Sequence, residues 1–145
     1  MNGFAASWQF WAIGSACFAA LTAIFAKVGI ENVNSDFATF VRTVIILALV
    51  TAIMVVGKAW QPPASVSSQT YLFLLLSGLA TGASWLCYFR ALKLGDAARV
   101  APLDKLSVVL VAIFGVAFLG ERLSLAGWGG VAMIAGGVIL LTSGL

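Results

Sequence analysis

Five long stretches of this chain are almost free of charge, and their spacing decides most of what it can become. A helix that crosses a bilayer needs about 20 mostly apolar residues. Runs of that kind lie at about Trp8 to Ile30, Phe37 to Val56, Tyr71 to Leu94, Val100 to Leu119 and Leu125 to Leu141. The few charges within them sit toward run ends: Lys27, Arg42, Arg90 with Lys93, and Asp104 with Lys105. Of 145 residues, 62% are hydrophobic and 9% charged. A globule of this size leaves too much surface in water to hide that composition. The expected fold class is an all-α integral membrane protein, with five transmembrane helices in one domain over 1–145.

The connections are short. Glu31 to Asp36 joins the first two runs, Gly95 to Arg99 the third and fourth, and Gly120 to Ser124 the last two. Lys58 to Thr70 is the longest, and its Pro62-Pro63 and serines cannot continue a helix. Such links make consecutive helices antiparallel neighbours and leave little chain for a soluble catalytic domain. Met1 to Ser7 carries no Lys or Arg, and the first run is too long for a leader's apolar core, so it reads as a retained span. Trp and Tyr favour the membrane–water interface. With five alternating spans, Trp8, Trp11, Trp60, Tyr71 and Trp128 all fall on one side. Trp85 is the exception, about 21 Å along the third run.

Composition also limits chemistry. Without His there is no His-based triad or His metal site. Cys17 and Cys87 are too few for a disulfide scaffold or a Cys-only metal site. No paired carboxylates are available for acid–base work. The net charge of +3 is too small and scattered for nucleic acid. No enzyme activity, metal, cofactor or nucleic-acid partner is expected.

Orientation is weakly specified. The N-terminal amine, Lys58 and Arg122 lie on one face, and Lys27, Lys93 and Arg99 on the other. Adding Arg42, Arg90 and Lys105 favours the second face as cytoplasmic. Two readings stand: one orientation set by those charges, or insertion both ways to give an antiparallel homodimer.

Small residues let membrane helices approach closely. Gly78 and Gly82 form a GxxxG in the third run; Ala126/Gly130 and Ala132/Gly136 space similarly in the fifth, which reads as a packing or dimer face. Polar residues inside a membrane usually face an interior or cavity. Ser77, Thr81, Ser84, Trp85 and Tyr88 recur at helical spacing in the third run. Trp11, Ser15, Ala19 and Thr22 form a weaker stripe in the first, and Asp104 and Ser107 share a face just after Pro102. These faces suit a small cavity, unless the hydroxyls bond back to their own helices. Arg90 and Lys93 lie opposite Tyr88 and are expected to reach headgroups. Asp104 should be protonated or paired, with Arg42 and Lys105 as candidate partners; the group reads as a gate, a closed ion pair, or a positive site for a substrate carboxylate or phosphate.

The segments Tyr88-Phe89-Arg90-Ala91-Leu92-Lys93-Leu94-Gly95, Val100-Ala101-Pro102-Leu103 and Leu119-Gly120-Glu121-Arg122-Leu123-Ser124, followed by Gly130 in a Gly-rich last run, resemble in order and spacing one repeat of the EamA family of the drug/metabolite transporter superfamily. The first two runs match by hydropathy and length. The resemblance implies a multi-pass protein of the cell inner membrane that exports or exchanges small metabolites. Typical members carry two inverted repeats. A single repeat implies that two copies assemble, with a site at their interface. The family's substrate pathway, carried onto this chain, points to Ser15, Thr22, Ser84, Trp85, Tyr88 and Ser107. Related four-helix multidrug pumps carry a glutamate in their first helix; this chain has no carboxylate there, which speaks against proton-coupled export of cationic drugs.

The expected function is a homodimeric secondary transporter of a small metabolite such as an amino acid, working by alternating access. A flippase for a lipid-linked carrier and a non-transporting partner subunit are the alternatives. A single Cys placed between Lys58 and Thr70 of a Cys-free variant tests orientation. Labelling from both membrane sides is the dual-orientation outcome; labelling from one side only rejects it.

Overall fold

A computed structural model of the chain describes residues 7–143. Helix α1 covers Trp8–Gly29, α2 Ser35–Val56, α3 Ser68–Leu94, α4 Ala97–Asp104, α5 Ser107–Leu119 and α6 Leu125–Thr142, with one turn of 3₁₀-helix at Pro63–Ser65. Five helical spans are long and apolar enough to cross a membrane, with α4 and α5 together forming the fourth. Among the described residues the buried apolar side chains are only Ala23, Ile30, Phe89, Leu92 and Val138, while Phe118 and Leu125 are 80% and 91% exposed. In water that surface would be untenable; in lipid it is the solvent-facing side of the molecule.

The chain divides into two compact units, residues 25–94 and residues 1–24 with 95–145. In the first, α2 packs on α3. Asn34 caps α2, its side-chain oxygen accepting from the amides of Asp36 and Phe37 at 2.8 and 3.1 Å. Thr39, 5% exposed, and Phe89, 3% exposed, are the buried residues of these two helices together with Leu92. The Thr39 and Thr43 hydroxyls donate to carbonyls one turn back, so neither is left unsatisfied.

Two lysines close the end of this unit. Lys93, in the last turn of α3, donates to the carbonyls of Ile30, Glu31 and Val33 at 2.6, 2.7 and 3.1 Å. Lys27, in the last turn of α1, donates to the Leu92 carbonyl at 2.8 Å. Each helix end thus supplies a cation to the other's exposed carbonyls. A helix C-terminus carries partial negative charge and orphan carbonyls, so two adjacent C-termini repel unless a cation lies between them. The pairing also places the ends of α1 and α3 at one membrane face, as alternating spans require. The expectation that Lys93 reaches headgroups is corrected here: the carbonyls offer closer acceptors in fixed positions.

In the other unit, α6 packs on α4 and on α5. The fourth span differs from the single helix expected over 100–119. It starts at Ala97, which puts Pro102 inside α4. Proline has no amide hydrogen, and its ring crowds the carbonyl four residues back. Beyond it the amides of Lys105, Leu106, Val108 and Val109 bond to carbonyls three residues back at 3.0 to 3.1 Å, and the α-helix resumes at Ser107. The tighter winding separates α4 from α5 at Lys105-Leu106.

The α5–α6 link is built by its own residues. Gly120 adopts φ +68°, open to glycine at no steric cost, and the Glu121 amide donates to the Gly115 carbonyl at 3.1 Å. The Glu121 carboxylate folds back over Gly115; a Cβ added there would lie 2.5 Å from Oε2. Ser124 caps α6, its Oγ accepting from the Gly127 amide at 3.1 Å. The glycines of α6 behave otherwise. A Cβ at Gly129, Gly130, Gly136 or Gly137 would meet nothing within 4 Å, and the same holds at Gly78 and Gly82 of α3. These small residues are not used for close approach among the described residues.

Replacing Lys93 by Met removes a charged donor from three carbonyls, at a cost of about 2 kcal/mol. K93M is expected to lower the unfolding midpoint in detergent by about 5 °C, with K58M in the long loop as a control that leaves it unchanged. Equal midpoints for K93M and the parent chain would remove the structural role given to Lys93.

Candidate functional site

Polar and charged side chains at depth are the features a lipid-dissolved chain must explain. In the unit of residues 25–94 they form two levels between α2 and α3. At the outer level, Arg90 grips Asp36 with both ends of its guanidinium, Nε to Oδ1 at 2.9 Å and Nη2 to Oδ2 at 2.7 Å. Both side chains are about half exposed. This corrects the expectation that Arg90 serves headgroups. Asp36 lies in the first turn of α2 and Arg90 near the last turn of α3, so antiparallel packing brings them level.

At the inner level, the Arg42 guanidinium carbon lies 4.3 Å from the centroid of the Trp85 ring and 5.4 Å from that of Phe89. Arg42 is six residues inward of Asp36, and Trp85 five residues inward of Arg90. At 1.5 Å per residue, this level is about 8 Å deeper. Arg42 and Trp85 are both half-buried. A cation over an indole gains up to about 2 kcal/mol when desolvated. A charged side chain at mid-membrane costs about 3 kcal/mol on insertion scales. Arg42, the eighth residue of α2, lies short of mid-membrane and costs less than that, so the rings make the position tolerable. Tyr88 lies beside Phe89, ring centroids 6.4 Å apart and tilted edge to face.

Other residues of the polar stripes are placed as follows. Ser84 is exposed on α3; Ser77 and Thr81 are bonded to each other's turn, the Thr81 hydroxyl donating to the Ser77 carbonyl at 2.8 Å. That part of the stripe satisfies its own helix. In the other unit, Ser15 is exposed and Thr22 half-buried on α1, and Ser107 is the first residue of α5. Asp104 ends α4, and Lys105 reaches its Oδ2 at 3.3 Å. The carboxylate is therefore paired, with Lys105, one of its two candidate partners, at the break in the fourth span.

Sequence reasoning missed Asp36 and Lys27. Both were legible as end-of-helix charges, acidic in a first turn and basic in a last turn. A recess of about 300 Å³ at this end is lined by Lys27, Val28, Ile30, Glu31, Leu92 and Lys93. Its lysines are held by carbonyls, so it belongs to the clasp. Among the described residues no group of three or more His, Cys, Asp or Glu is arranged to hold a metal.

The pattern of five spans with these turn residues is matched over residues 6–143 by the model of the EamA-like transporter family. The chain belongs to the EamA-like transporter family. It is 68% identical over 135 residues to a Sinorhizobium sp. protein named as an uncharacterized transporter in the cobO 3′ region, a match spanning 93% of this chain and 96% of that relative. No solved structure matches. This EamA-like chain is thus a multi-pass membrane transporter. Its family-like segments are mostly architectural: Arg90 and Lys93 fasten α3, Pro102 breaks the fourth span, and Gly120, Glu121 and Ser124 form the last turn.

Charge exchange tests the outer level. D36R and R90D should each lower stability in detergent, and the double variant D36R/R90D should recover most of the loss. Losses that simply add would show that the pair is not coupled.

Proposed function

We propose that this EamA-like chain is a secondary transporter of the cell inner membrane that exports or exchanges a small metabolite such as an amino acid. The observation that carries this reading is the inner level of α2 and α3, where an otherwise apolar span holds an indole, a phenol and a cation at depth. Lipid has no use for such groups, whereas a polar solute does. Trp85 and Tyr88 would pack against the solute, and the hydroxyls of Ser15, Thr22, Ser84 and Ser107 would orient it.

The broken fourth span supports the same reading. Transporters commonly place substrate sites beside discontinuous helices, because freed backbone groups are tolerated only where protein or a cavity meets them. Here the break carries the Asp104–Lys105 pair, with Ser107 just beyond it. That pair would serve as a gate.

A second copy would complete the machine. The family match runs once over residues 6–143, and the match to the relative spans 96% of that relative's length. Two copies in opposite orientations reproduce the inverted arrangement by which a site at the repeat interface opens to alternate sides. The unfilled space around Gly129, Gly130, Gly136 and Gly137 gives α6 a face that another helix can approach closely.

The test is uptake of candidate metabolites into proteoliposomes by the parent chain and by W85A/Y88A. The double variant is expected to lose at least about tenfold in rate, the order of effect seen when binding contacts of a few kcal/mol are removed. Unchanged uptake would remove the pocket assignment.

A further inference from the structure

We infer that Arg42 is an oxyanion anchor: its guanidinium, seated on Trp85, holds a carboxylate or phosphate group at the inner level of α2 and α3. The inference rests on the transporter reading above and narrows its substrate class to anions. Three observations carry it.

The first is the missing counter-charge. Arg42 makes no hydrogen bond among the described residues of its unit; its guanidinium lies over the faces of Trp85 and Phe89. The carboxylate nearest along its own helix, Asp36, is held bidentately by Arg90. A guanidinium has five N–H donors, and aromatic faces engage none of them as a carboxylate would.

The second is position. Arg42 lies about 8 Å inward of the Asp36–Arg90 pair. A side chain placed there only for tolerance would extend outward along the lipid. This one rests on an indole instead. Stacking fixes the guanidinium before a partner arrives, and a fixed planar fork is the geometry that carboxylate and phosphate oxygens accept.

The third is contrast with the other cations. Lys27, Lys93, Arg90 and Lys105 all have carbonyl or carboxylate acceptors within 3.3 Å. Arg42 is the described intramembrane cation whose hydrogen-bonding capacity is unspent. The oxyanion has two sources that share this chemistry, a solute in the pathway and the phosphate of a lipid headgroup.

The experiment uses the full chain with Trp8, Trp11, Trp60 and Trp128 replaced by Phe, so that emission reports Trp85. In phosphatidylcholine vesicles at constant ionic strength, sodium phosphate and sodium acetate are titrated, with acetamide as the uncharged control. At least one anion is expected to change the emission saturably, acetamide not at all. R42Q should weaken the response at least about tenfold, and R42K should fall between. Repeating in vesicles with phosphatidylglycerol separates the sources. Emission already changed without added anion identifies the headgroup; emission changed only on titration identifies the solute. No saturable response to either anion in the intact chain, with emission the same in both vesicle types, overturns the inference without any variant. A response equally strong in R42Q and R42K also overturns it. Arg42-dependent binding in a protein that moves no solute would uphold the anchor and remove the transport reading. Uptake of solute with Trp85 indifferent to anions would do the reverse.

Discussion

Lipid gives a polar group nothing to bond to, and the rest of this structure follows from that. In water an exposed carbonyl or ammonium costs little. In a bilayer each must be satisfied within the protein or sit at its edge. The chain meets this demand at its helix ends. Lys27 and Lys93 bind the carbonyls where α1 and α3 stop, Asn34 and Ser124 cap the amides where α2 and α6 start, and Gly120 turns the chain where α5 ends. With the ends fastened, the walls can remain almost wholly apolar.

Against this background the charges at depth fall into two kinds. The Asp36–Arg90 and Asp104–Lys105 pairs neutralise themselves. Arg42 does not, and is instead held on Trp85. Under the proposed function such a group has a use, because a charge neutralised within the fold has little left with which to recognise a solute. The same economy explains the family-like segments. Residues that look like a signature mainly build turns and fasten ends, while Trp85 and Arg42 stand outside the tight turns.

The five spans were legible because a bilayer imposes one length, and charge spacing reports it directly. The break in the fourth span was not. Ala97 to Arg99 read as loop, so Pro102 looked like a first-turn residue, where proline is harmless; only the earlier helix start makes it disruptive. Arg90 and Lys93 were misread for a related reason. Taken one run at a time, a basic residue near a helix end belongs with headgroups. The antiparallel register of α2 and α3 sets Asp36 beside Arg90, and that register is not contained in either run alone. The stripe with Trp85 and Tyr88 was legible from period, because helical spacing survives folding. Its pairing with Arg42 was not, since it depends on the same register. Thr81 shows the opposite limit: it keeps helical spacing with the stripe, but its hydroxyl is bonded to its own helix.

The central claim is that a single-repeat chain transports as a pair. Counting photobleaching steps of singly labelled chains in individual proteoliposomes, while following solute uptake vesicle by vesicle, addresses it most directly. The account predicts uptake only in vesicles that bleach in two steps or more. Uptake at full rate in vesicles that bleach in one step, at complete labelling, would contradict it.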